Sequence, residues 1–329
     1  MRETLRWVML GLGLLALPGC GSSQSTFDSQ SHASNRIEHL WWVMFAGSCI
    51  VFAVVTMLVL VAVLRRRGAQ SRPDMGPESR AARGLVLFGG ALIPLGVLVA
   101  LFVVILQTLP ATSPASGSAA LTIDVTGRQW FWDVRYPQQR IVTANELHIP
   151  VGQPVQLRVR TADVIHSFWV PALNRKIDMI PGHTNTVTLK ADRAGTYRGQ
   201  CAEFCGLQHA NMAFYVVADP PARFQAWLAR ESRPRAPSRQ RRGEQVFMSL
   251  GCGGCHTIAG TAAKGTVGPD LTHLASRLTI AAGTLPNRRG FLGGWILDPQ
   301  HIKPGNKMPG LDISGRQLQP LLDYLASLK

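Results

Sequence analysis

Charged side chains are scarce in this chain: they make up 16% of its 329 residues. Its mean hydropathy is slightly positive, which argues against a purely soluble protein, and it holds too many apolar residues for a disordered one. Acidic residues are fewer still, 19 against 34 Lys and Arg, leaving a formal net charge of +15. The basic excess sits in an Arg- and Pro-rich stretch at 221–242 and beside two apolar runs. No basic face with interleaved aromatics is present, so nucleic acid is excluded as a partner. Cysteines number only six, too few for a disulfide scaffold. Cys20 and Cys49 stand alone, whereas Cys201 with Cys205 and Cys252 with Cys255 form close pairs. At roughly 150 residues per domain, the length suits about two domains.

The first 20 residues read as a targeting segment. Arg2 and Arg6 precede an apolar stretch, Trp7 to Leu17, that is too short to span a bilayer. Leu17-Pro18-Gly19-Cys20 is similar to a lipoprotein cleavage box, with Cys20 as the lipidated residue. An ordinary signal peptide and an uncleaved anchor are the other readings. Two true spans follow at about 40–64 and 85–109, in a hairpin segment covering 21–112. Trp41 and Trp42 open the first span, and Pro94 interrupts the second. Arg65, Arg66, Arg67, Arg72, Arg80 and Arg83 lie between them, and the positive-inside bias puts that connection in the cytoplasm. Everything after the second span is then outside. Neither span holds a histidine, so a haem or metal at membrane depth would belong to a partner.

From 118 to about 220, short alternating runs such as Val155, Leu157 and Val159 are punctuated by Gly, Pro and Asn. This predicts an antiparallel β-sandwich or barrel. Its end carries Cys201, Glu203, Cys205, His209 and Met212, with His166 upstream. Two thiolates, two imidazoles and a thioether form a soft ligand set that copper favours. Zinc has little use for the thioether. Two thiolates can bridge a metal pair; a Cys201–Cys205 disulfide and a mononuclear copper site are the competing readings.

After the Arg- and Pro-rich linker at 221–242, residues 243–329 form a short helix-rich segment. Cys252-Gly-Gly-Cys255-His256 is the attachment signature of c-type haem. A zinc or thioredoxin-like reading lacks the second cysteine pair or the βαβ pattern it needs. Leu318, Leu321, Leu322 and Leu325 predict a last helix over 315–328, and a first is expected over 244–250. Lys303-Pro-Gly-Asn-Lys-Met308-Pro309 lies between them.

These motifs resemble a known family. From about Leu40 to Val217 the chain resembles subunit II of haem–copper cytochrome c oxidases, on the Cys201-x-Glu203-x-Cys205-x-x-x-His209-x-x-Met212 pattern. The last segment is similar to class I cytochrome c domains, as fused to that subunit in caa-type oxidases. The resemblance implies a two-helix transmembrane hairpin, an all-β cupredoxin-like Greek-key barrel and an all-α cytochrome c domain. It implies a binuclear copper centre, CuA: Cys201 and Cys205 bridge the metals, His166 and His209 cap them, and Met212 and the Glu203 carbonyl are weak ligands. The Glu203 carboxylate would reach a magnesium ion shared with subunit I, and Asp163 would orient His166. Trp130, in Gly127-Arg-Gln-Trp130-Phe-Trp132, matches the residue where electrons reach the copper. Cys252 and Cys255 would bind one haem c covalently, with His256 and Met308 on its iron; His273 and His301 are rival ligands. Two positions depart from the family pattern: Leu87 stands where a glutamate is frequent, with Glu78 nearby, and His183 where an arginine is.

The implied function is subunit II of an aerobic respiratory cytochrome c oxidase in a bacterial inner membrane. Its copper and haem domains would lie on the outer, periplasmic or extracellular, face. Electrons would pass from haem c to CuA and on to subunit I, which reduces dioxygen to water, with subunit III alongside. The donor would be a cytochrome c or a quinol-oxidising complex. The alternatives are the subunit through which electrons enter a CuA-type nitric oxide reductase, and a free-standing membrane-anchored carrier.

Overall fold

The computed structural model describes residues 24–67, 80–112, 121–233 and 239–329. The leader with Cys20, the stretch with Arg72 and Glu78, and 234–238 within the Arg- and Pro-rich linker lie outside the described residues.

Helix α1, His32–Arg67, begins eight residues before the apolar run. Its start is fixed by a reciprocal cap: the Ser34 N–H donates to Ser31 Oγ at 3.0 Å and the Ser31 N–H to Ser34 Oγ at 3.2 Å. At 1.5 Å per residue it exceeds the ~30 Å hydrocarbon core, so its polar first turns stand above the membrane. There Trp41 stacks on Phe45 at 5.0 Å and meets Phe27 edge-on at 4.7 Å, the belt expected at an interface.

The second span is α2, Arg80–Leu87, a π-turn Phe88–Leu92, and α3, Ile93–Thr112. Pro94 has no N–H, and its ring crowds the carbonyl four residues back. The chain accommodates it with one wide turn, in which the Ile93 N–H donates to Phe88 O. Helices α1 and α3 lie side by side. Phe52, Leu98 and similar side chains are exposed on them, as a lipid-facing surface requires.

The next unit is a sandwich of two five-stranded sheets. Its strands are β1 Thr122–Arg128, β2 Phe131–Tyr136, β3 Ile141–Ala144, β4 Glu146–Pro150, β5 Val155–Thr161, β6 His166–Trp169, β7 Ile177–Met179, β8 Asn185–Leu189, β9 Gly195–Cys201 and β10 Ala213–Asp219. One sheet runs β3-β2-β1-β5-β8 and the other β4-β10-β9-β6-β7. Strands β1 and β5 pair in parallel, as do β4 and β10, so the chain crosses between sheets in the cupredoxin-like manner. The alternation read along β5 holds: Val155, Leu157 and Val159 are buried, and Arg158 points out to pair with Asp124. Trp132, Phe168 and Phe214 cluster between the sheets.

The membrane hairpin is joined to this sandwich by more than the chain. Gln30 N donates to Ala172 O at 2.8 Å, Asp192 N donates to Gln30 O at 2.9 Å, and Ser34 Oγ donates to Ala172 O at 2.7 Å.

Helix α4, Pro221–Glu231, occupies the first half of the expected linker. Phe224 and Trp227 complete the sandwich core, and Trp227 stacks on His148 at 4.3 Å. The last unit is helical: α5 Arg241–Ser249, α6 Cys252–Cys255, α7 Arg289–Leu297, α8 Pro299–Ile302 and α9 Gly315–Ala326. The observed α5 and α9 shift the expected 244–250 and 315–328 by up to three residues. Ser314 and Gln317 form a capping box for α9. Helices α5 and α9 pack together so closely that a Cβ on Gly243 would lie 2.1 Å from Pro320 O.

Candidate metal and haem sites

The sandwich brings the sulfur and imidazole ligands together at one end. His166 opens β6, Cys201 closes β9, and the loop to β10 carries Cys205, His209 and Met212. The loop is closed at its base, where Cys201 N donates to Met212 O at 3.0 Å, and Ala202 N donates to Ser167 O at 3.0 Å. Cys201 Sγ lies 3.8 Å from Cys205 Sγ and 3.7 Å from His166 Nδ1. Cys205 Sγ lies 3.6 Å from His209 Nδ1 and 3.8 Å from Met212 Sδ. Both cysteines are free thiols. Among the described residues, His166, Cys201 and Cys205 form the one group of three such ligand atoms within 4.8 Å of one another. The donor set therefore fits a soft metal pair bridged by the two sulfurs. The hydrogen bond with Cys205 holds the Cys201 thiol far below the usual thiol range, against the effect of burial.

Neighbours orient these ligands. His166 Nε2 donates to Asp163 Oδ1 at 2.8 Å, which turns Nδ1 toward Cys201. Burial works against the Asp163 carboxylate, but hydrogen bonds from His166, Gln129 N and Val164 N outweigh it and lower its pKa. Gly127 lies flat on the His166 ring; a Cβ there would sit 2.9 Å from Cδ2. The Glu203 carbonyl is 3.2 Å from Cys201 Sγ, whereas its half-exposed carboxylate turns outward to Lys176 Nζ at 3.9 Å. Both motif tryptophans grip the loop. Trp130 Nε1 donates to Cys205 O at 3.0 Å beside Gln129 Nε2 at 2.9 Å, and the buried Trp132 Nε1 donates to Met212 O at 3.4 Å.

The haem-type motif lies on α6 and the residue after it. Gly251, at φ 76°, starts the turn. His256 Nδ1 faces Pro269 O at 2.8 Å, which fixes the ring and leaves Nε2 free. Burial pushes this imidazole toward its neutral, ligating form. Gly268 cradles the ring, since a Cβ there would come within 2.5 Å of it. Cys252, Cys255, His256 and Met308 line one cleft with Trp295 and Leu311. Met308 is held through its backbone: its N–H donates to Asn306 Oδ1 and its carbonyl accepts from Gln300 Nε2. His273 and His301 do not line the cleft. An apolar cleft with one imidazole, one thioether and two thiols fits a covalently attached haem.

The two sites adjoin. Gln129, Trp130 and Phe131 line the same cleft as Cys252 and Met308. Direct bonds seal the boundary: Ala213 N donates to Ala282 O at 3.0 Å, Leu278 N to Glu146 Oε2 at 2.8 Å, and Arg277 Nε to Thr143 Oγ1 at 3.2 Å. Nothing local in the sequence marks Gly127 or Gly268 as the glycine against which a histidine ring packs.

Residues 138–219 match the family described as cytochrome c oxidase subunit II, periplasmic domain, and residues 240–329 match cytochrome c. Cytochrome c oxidase subunit 2 of Alkalihalophilus pseudofirmus is 36% identical, over 87% of this chain and 84% of the relative. That of Bacillus subtilis is 28% identical, over 98% and 97%. Among solved structures, the periplasmic domain of subunit II of cytochrome oxidase from Bradyrhizobium japonicum is 34% identical. It covers 36% of this chain and 96% of that one, with a TM-score of 0.34.

Proposed function

The chain belongs to the cytochrome c oxidase subunit 2 family, and on that premise we propose that electrons enter it at the cytochrome c domain, cross beside Trp130 and leave from the copper domain for subunit I. As a family member with a fused cytochrome c domain, it is an electron-transfer subunit of a membrane oxidoreductase, and subunit I of a haem–copper oxidase is its partner. The two domains imply CuA copper and haem c.

When bound, the haem and the copper pair each supply reversible one-electron transfer. The chain's own residues do the rest. Cys252 and Cys255 would anchor the haem, with His256 and Met308 as its iron ligands. His166, Cys201, Cys205, His209, Met212 and the Glu203 carbonyl would hold the coppers. The outward Glu203 carboxylate is available to a magnesium ion at the contact with subunit I. Trp130 and Phe131 line the cleft from the copper side.

One observation carries the order of transfer. Trp130 lines the haem-type cleft, and its indole N–H bonds the carbonyl of the copper ligand Cys205. The external donor, a cytochrome c or a quinol-oxidising complex, then meets the outer side of the cytochrome domain. Subunit III completes the assembly.

The same reading orients the chain. The turn at Gln30 and the sandwich touch, which supports a hairpin with both outer ends on the periplasmic face. Arg65, Arg80 and Arg83 would then lie on the cytoplasmic side.

The test is Trp130→Phe in the assembled oxidase, mixed rapidly with reduced donor. Haem c should be reduced at the wild-type rate while copper reduction slows about tenfold. Wild-type copper reduction with an unchanged copper spectrum would remove Trp130 from the route.

A further inference from the structure

Lys303 stands between α8 and Met308 and is 2% exposed. An ammonium has three N–H donors and no acceptor. Lys303 Nζ faces three backbone carbonyls: Asn211 O at 2.8 Å, Ala281 O at 3.2 Å and Trp130 O at 3.5 Å. They come from three different segments. Trp130 immediately precedes β2. Asn211 belongs to the copper loop, one residue before Met212. Ala281 belongs to the cytochrome domain, next to Ala282, whose carbonyl accepts from Ala213 N.

Among the described residues no carboxylate pairs with Lys303, and burial disfavours its charged form. A buried cation without a counter-ion is costly, so packing alone is a poor reason for a lysine here. The neighbouring backbone is gripped from the copper side as well, because Gln208 Nε2 donates to Pro304 O at 2.7 Å. The approach is tight enough that a Cβ on Gly305 would meet Leu207 Cδ1 at 2.7 Å.

We propose that Lys303 is a positioning residue that holds the Met308 side of the haem crevice against Trp130 and the copper loop, so that the two redox domains work as one fixed unit. This rests on the electron route proposed above. Lys303 acts only through carbonyls and lies outside both ligand sets. The assembly is then no loosely tethered donor raised to high local concentration. The face of Trp130 that a separate carrier would use is covered by the chain's own cytochrome domain.

Two experiments on the purified, assembled oxidase decide it. Lys303→Met keeps the apolar stem and removes all three donors. Haem c and copper absorption should remain, while haem-to-copper equilibration after rapid reduction slows at least about tenfold. Direct copper reduction by added soluble cytochrome c should rise. Unchanged equilibration with intact spectra would overturn the proposal.

The second experiment needs no variant, and decides alone if Lys303→Met does not assemble. Wild-type oxidase is acetylated at pH 9 and its lysines are mapped by mass spectrometry. A Lys303 left accessible at a loose boundary would react alongside the exposed Lys264 and Lys307. The expected result is the reverse: Lys303 stays unmodified while those two are consumed. Acetylation of Lys303 as fast as Lys307 would overturn the proposal. Absence of haem c or copper absorption in the wild-type preparation would instead defeat the electron route on which it rests.

Discussion

The copper loop and the haem crevice are built on opposite plans. In the copper domain the ligand atoms already touch: Cys201 and Cys205 contact each other, and each contacts an imidazole. Two sheets, a loop closed at its base and the Asp163 carboxylate hold them there. In the cytochrome domain His256 and Met308 line one cleft, and no bond among the described residues joins them. Phe247, Leu274, Leu292, Ile296, Leu321 and Leu325 line an adjoining cavity that His256 and Met308 also border, while forming the domain's core. One site has its donor atoms in mutual contact, held by sheets and a closed loop. The other shares its core with the group it binds.

The comparison is broken most severely by blocking haem attachment. Cys252→Ala with Cys255→Ala should cost the cytochrome domain its cooperative fold, because the core loses its largest apolar partner. Limited proteolysis should then degrade residues after about 240 and spare the sandwich; a protease-resistant C-terminal domain would show that its core stands alone. A smaller effect is expected from Gly127→Ala. The added methyl lies within contact of the His166 ring, so about 1–3 kcal/mol of stability should be lost, read as a lower melting temperature of the sandwich. The copper spectrum should change and the haem c spectrum should not. The mildest is Asp163→Asn. The carboxylate that orients His166 becomes an amide, and copper affinity should fall about 10- to 100-fold, measured by competition with a chelator, with the fold intact. Unchanged affinity would show that the sandwich alone orients His166.

The candidate ligands are legible where they are local, whereas Met308 enters only through the family resemblance. Cys201 to Met212 and Cys252 to His256 are single short motifs, and residue chemistry with spacing is enough to read them. What holds them was less legible. Gly127 meets His166 across the sandwich, and Lys303 reaches residues far away in the chain. No periodicity records such meetings. Within the Arg- and Pro-rich stretch only residues 223–228 read as the end of a helix; the structure extends it over Pro221–Glu231, with Phe224 and Trp227 on a buried face. The spans were read by apolar length, which finds the part inside the bilayer. It could not find the capped turn at Ser31 and Ser34, where α1 begins.

That turn has a consequence of its own. Gln30 is held on both sides, by Ala172 and by Asp192, and α1 starts two residues later. No slack remains between the sandwich and the helix that enters the lipid. The chain therefore works as a ruler: the altitude of the copper loop above the bilayer is set by the first polar turns of α1. A pair of glycines inserted after Ser31 would leave every ligand in place and raise the whole instrument off its mark.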